Sequence, residues 1–92
     1  MAVWYKEGVY GELQTEAAQG LRKLKKYAWT AGEDIFITSV REGTHSAGSL
    51  HPLGYAWDMR KNIDAVMVDS ILGPDFDVVD ETNHIHVEYD PK

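Results

Sequence analysis

Cysteine is absent from this 92-residue chain. Disulfides are therefore excluded, and any metal site must draw on imidazole and carboxylate donors. No apolar stretch approaches the ~20 residues of a membrane span. The opening residues, Met-Ala-Val-Trp-Tyr-Lys-Glu-Gly, lack the basic segment and apolar run of a signal peptide. The expectation is a chain made in the cytoplasm that does not insert into membranes and that reaches a cell wall or periplasm only if something else delivers it. Basic residues are also scarce, 9 against 15 acidic ones, for a formal charge of −6. That balance speaks against nucleic acid, whose backbone is bound by clustered Lys and Arg. The one basic cluster, Arg22, Lys23, Lys25 and Lys26, reads as a solvated helix face, placed late in its helix where cations complement the dipole. Nothing in the sequence calls for an obligate protein partner.

What is present fits one small domain over residues 1–92, because a chain this short buries only about 60–70% of its unfolded surface and has no room for a second core. Leu13, Ala17, Leu21, Leu24 and Ala28 recur at helical spacing, which predicts a helix over residues 13–29 that Gly32 stops. Gly20 falls inside it and points to close packing against another element. Residues 34–40 are β-rich and predict a strand. Residues 41–52 carry Gly, Ser, Thr and His without periodicity and predict a loop. Residues 55–59 predict a strand with Tyr55, Trp57 and Met59 on one face and Ala56 and Asp58 on the other. Ile63, Val66, Met67 and Ile71 mark a second helix, with Asn62 as N-cap and Gly73-Pro74 as its end. Residues 76–80 and 84–89 predict two strands joined by the turn Glu81-Thr82-Asn83. The order implies an α+β fold with two helices packed on a small, mostly antiparallel sheet.

Period two in the last strand places His84, His86 and Glu88 on one face, opposite Ile85, Val87 and Tyr89. His-x-His alone is a weak signal. Asp58 strengthens it, because a residue as small as its face-mate Ala56 leaves space for a metal and a substrate. His51, from the loop edge, can approach Asp58 across the turn at Gly54. Glu81 offers a carboxylate at the entrance of the last strand. Together these residues supply three ligands and a base, which is the requirement of a catalytic zinc with one open position. His45, in the same loop as His51, reads as a rim residue. Trp4, Tyr5, Trp29 and Trp57 read as core or rim residues. Glu88 reads either as a hydrogen-bond partner of an imidazole or as a solvated carboxylate.

Taken together, Ser49-x-His51-x-x-Gly54-x-Ala56-x-Asp58 followed by Glu81-x-x-His84-x-His86 resembles the zinc peptidases of the D-Ala-D-Ala carboxypeptidase family. That family includes D-Ala-D-Ala dipeptidases and the L-alanyl-D-glutamate endopeptidases used as phage endolysins, and it shares its fold with the zinc domain of hedgehog proteins. The resemblance spans about residues 37–87. It implies that His51, Asp58 and His84 hold Zn²⁺ and that Glu81 is the general base. It implies that His86 and Arg41 face the substrate or its oxyanion, and that Ser49 steadies the loop or touches the substrate. The expected activity is hydrolysis of peptidoglycan peptides, with an L-alanyl-D-glutamate endopeptidase of phage type leading. A D,D-carboxypeptidase, D,D-endopeptidase or dipeptidase on the same site is the alternative. From another class, a non-catalytic zinc-stabilised binding module fits the ligands but has no use for Glu81 and Arg41.

Overall fold

The computed structural model describes residues 3–8, 13–40 and 54–91. The elements run β1 (Val3–Tyr5), α1 (Thr15–Ala31), β2 (Ile35–Ser39), β3 (Ala56–Met59), α2 (Ala65–Leu72), β4 (Phe76–Asp80) and β5 (Ile85–Tyr89). The strands form one mixed sheet in the order β1-β2-β3-β5-β4. The pair β1–β2 is parallel and the other three pairs are antiparallel. The α+β class, the two helices and the mostly antiparallel sheet are as expected from the sequence. The predicted loop over residues 41–52, with Arg41, His45, Ser49 and His51, lies outside the described residues.

Helix α1 buries Ala17, Gly20, Leu21, Leu24 and Ala28, the stripe that its 3.6-residue period lays on one side. It runs past the predicted end and stops at Gly32, whose φ of 74° is the left-handed turn that a residue without Cβ adopts freely. Its last turn contains no basic residue. Arg22, Lys23, Lys25 and Lys26 are exposed at mid-helix, so the expected dipole contribution at the C-terminus falls away. A Cβ on Gly20 would press into the Phe76 ring, so the glycine marks the point where α1 meets the sheet.

Two further expectations are corrected. β1 was not foreseen, and it extends the sheet by pairing Val3, Trp4 and Tyr5 with Ile35, Phe36 and Ile37. Helix α2 is capped by Asp64 rather than Asn62. The Asp64 carboxylate accepts the Val66 N–H at 3.0 Å, while the Asn62 amide donates to the Asp34 carbonyl at 2.7 Å and ties the approach to the helix to the start of β2.

The core lies between the helices and one sheet face. Ile35 and Ile37 of β2, Trp57 and Met59 of β3, and Ile85 and Val87 of β5 pack there with Leu24, Val68, Leu72 and Phe76. Alternation along β3 and β5 sends Asp58, His84, His86 and Glu88 to the other face. Trp57 is fully buried, whereas Trp4, Tyr5 and Trp29 are exposed. No helix among the described residues is long and apolar enough to cross a membrane.

Candidate metal centre

The centre is built on two adjacent strands. Cross-strand pairing sets Asp58 of β3 opposite His86 of β5, and Ala56 opposite Glu88. Directly paired residues have Cβ atoms about 4.5–5.5 Å apart, so their side chains meet on the same face. His86 Nδ1 lies 2.9 Å from Asp58 Oδ1, and its Nε2 lies 2.7 Å from Glu88 Oε1. Both ring nitrogens therefore bond carboxylates, which requires the doubly protonated imidazolium. The His86 pKa is raised from the ordinary 6.5 to about 9, chiefly by the hydrogen bond to Asp58, with Glu88 adding to the rise and burial opposing it.

His84 stands at the mouth of β5. Its Nδ1 lies 2.6 Å from the Asn83 side-chain oxygen, and its Nε2 lies 3.7 Å from Asp58 Oδ1. Donation from Nδ1 to Asn83 leaves the Nε2 lone pair directed at the site, the tautomer a metal-ligating histidine needs. Bonds of ~2.0–2.2 Å at tetrahedral angles place two ligand atoms about 3.3–3.6 Å apart. The Asp58 and His84 donors thus already stand near the separation that one small cation would set.

A register shift between β2 and β3 shapes what lies beside them. Ile37 pairs with Met59, but Ser39 pairs with Asp58, so β2 carries one extra residue over this interval. Such a bulge re-aims side chains, and here both Thr38 and Ser39 line a depression of about 370 Å³ together with Lys6, Asp58, Arg60, Asn83 and His84. That volume suits a small ligand or one end of a larger one.

The structure brings Asp58, His84 and His86 together, as the sequence pattern requires. It does not bring Glu81 to them in the same way: this residue is exposed in the turn before β5 and is not among those lining the depression. Its backbone is nevertheless fixed. Glu81 N–H donates to the His84 carbonyl at 2.9 Å, and Lys61 Nζ donates to the Glu81 carbonyl at 3.0 Å while pairing with Asp80 at 2.7 Å. Glu88 takes the hydrogen-bonding option, through His86. His51, Arg41 and Ser49 lie outside the described residues. Sequence reading missed Asn83, Lys6, Arg60 and Lys61. Only Asn83 carried a local signal, an amide next to a candidate ligand.

A second grouping lies further along the same face. Asp77, Glu88 and Asp90 present carboxylate oxygens within 4.8 Å of one another, a set that could hold a metal ion. Oxygen-only donors suit Ca²⁺ or Mg²⁺ better than Zn²⁺, and Glu88 Oε1 already accepts from His86.

No family model matches this chain, and no curated protein or solved structure is significantly similar to it.

Proposed function

We propose that this chain is a zinc-dependent peptidase of the hedgehog/D,D-peptidase kind that hydrolyses peptidoglycan peptides, with the L-alanyl-D-glutamate bond as its leading target. The observation that carries the reading is the approach of Asp58 Oδ1 and His84 Nε2 to 3.7 Å beside a depression large enough for part of a peptide. Zn²⁺ held by His51, Asp58 and His84 would supply Lewis acidity, acidifying water and polarising a carbonyl. The residues of the chain do the rest. Glu81 takes a proton from water and returns it to the leaving amine. Arg41 offsets the charge that develops on the carbonyl oxygen. His86, bonded to Asp58 and Glu88, holds the Asp58 carboxylate in place.

One observation favours a second reading. The exposed position of Glu81, away from the depression, suits a zinc-stabilised binding module that has no need of a base. Mass spectrometry of cross-linked peptidoglycan after incubation with zinc-loaded protein separates the two. New D-glutamate amino ends that disappear with Glu81→Ala are expected for the peptidase. Release of D-alanine, or cross-links opened at that residue, moves the specificity to the D,D branch. Intact polymer from several wall types, despite stoichiometric zinc, would leave the binding module.

A further inference from the structure

We propose that the depression beside Asp58 and His84 is a carboxylate subsite, in which Lys6 and Arg60 read an acidic group of the bound peptide. The choice of a peptide as occupant rests on the reading above; the anion preference itself rests on charge and geometry. The chain carries 15 acidic residues against 9 basic ones, so a basic side chain here has many potential acidic neighbours. Yet two of the seven described lining residues are cationic, and neither pairs with a carboxylate among the described residues. Asp58, which lines the same depression, bonds His86 through its Oδ1 at 2.9 Å.

Each cation is held by backbone or ring contacts that leave its charge free. The Arg60 guanidinium lies over the Phe36 ring, 4.8 Å from the centroid. Its backbone N–H donates to the Phe36 carbonyl at 3.0 Å. Stacking fixes the plane of a guanidinium while leaving its N–H edges able to grip a carboxylate in bidentate fashion. Lys6 is anchored by its own N–H to the Ile37 carbonyl at 2.9 Å, which continues the β1–β2 pairing and delivers the side chain to the rim. Thr38, Ser39 and Asn83 line the same depression as the two cations. Hydroxyl and amide donors beside two cations make a set suited to carboxylate oxygens. The subsite adjoins the metal ligands Asp58 and His84, so the carboxylate it takes lies on a residue next to the scissile bond. A terminal carboxylate and a side-chain carboxylate both meet that description.

The test is an amide chemical-shift titration of the metal-free protein, which needs neither zinc nor turnover, with N-acetyl-L-alanyl-D-glutamate as probe. Its two mono-amides and its diamide serve as arms. The free acid is expected to bind about tenfold tighter than the diamide, with shifts centred on Lys6, Thr38, Arg60 and Asn83. The mono-amide that keeps the preference identifies which carboxylate is read. Lys6→Met and Arg60→Gln should each weaken acid binding more than diamide binding and so shrink the preference, and added salt should weaken acid binding more than diamide binding. Equal binding of acid and diamide, or a preference that survives in the double variant, would overturn the proposal. A parallel zinc titration keeps the two readings apart. Failure to bind zinc removes the peptidase reading and leaves the anion preference standing; zinc binding without anion preference does the reverse.

Discussion

Asp58 and His86 face each other across β3 and β5 as a directly paired couple, with His86 Nδ1 2.9 Å from Asp58 Oδ1. The bond links a proposed metal ligand to a second carboxylate, Glu88, through one imidazolium. Removing the link should matter more to metal affinity than to the fold. His86→Gln keeps a polar side chain but loses the charge. It is expected to weaken zinc binding about 10–100-fold, measured by competition with a chromophoric chelator. Unchanged affinity would show that Asp58 needs no such support.

The same couple sets a pH dependence in the metal-free protein. Its folded-state pKa of about 9 lies above the ordinary 6.5, so the charged imidazolium contributes stability that is full below pH 6.5 and fades as pH rises through 9. Urea unfolding in the presence of a chelator should therefore show a midpoint that falls between pH 6.5 and 9.5. His86→Gln should flatten that fall relative to the wild type. Parallel curves for the two proteins would remove His86 as its source.

Asn83 should reveal itself through the tautomer of His84. With the 2.6 Å bond to Nδ1 removed, Asn83→Ala lets the Nδ1–H and Nε2–H forms exchange freely. Zinc affinity should fall about tenfold, at the lower end of the range for such supporting bonds. Nitrogen chemical shifts of the ring, read in the metal-free state, should move from one dominant tautomer toward a mixture. A ring spectrum identical to that of wild type would refute the assignment.

Gly20→Ala runs against helix propensity. In an open helix the change would stabilise by ~1 kcal/mol, but here the new methyl meets the buried Phe76 ring. Overpacking of this kind typically costs about 1–3 kcal/mol, so denaturant unfolding should show a net loss. A gain would mean that Phe76 yields at little cost.

What could be read from the sequence divides along physical lines. The α1 stripe, the alternation in β5 and the stop signals at Gly32 and Gly73 are local patterns, and the structure follows them. Close packing at Gly20 was signalled too, by a glycine where a helix would rather have alanine, although its partner, Phe76, was not. β1 was not, because three residues at a sheet edge, two of them exposed, carry no period to detect. The cap of α2 was misplaced because Asn62 and Asp64 are both good cap residues. Only the tertiary bond from Asn62 to Asp34 decides between them. At the site, strand alternation makes His84 and His86 legible as face-mates; Asp58 was added to them by the motif pattern, and the pairing of β3 with β5 sets it opposite His86. Lys6 and Arg60 were not, since their convergence depends on the parallel pairing of β1 with β2 and on the Thr38 bulge, neither of which leaves a mark in local sequence.

The placement of Lys6 directly after β1 has a thermal consequence. Arg60 follows β3, which is flanked by β2 and β5, whereas β1 is held to the sheet by β2 alone. Short edge elements open at lower free energy than central ones. On warming, the proposed ligand selectivity should therefore fade before the proposed metal site does: Lys6 departs with the fraying edge, while Asp58 stays clamped in the middle of the sheet between β2 and β5.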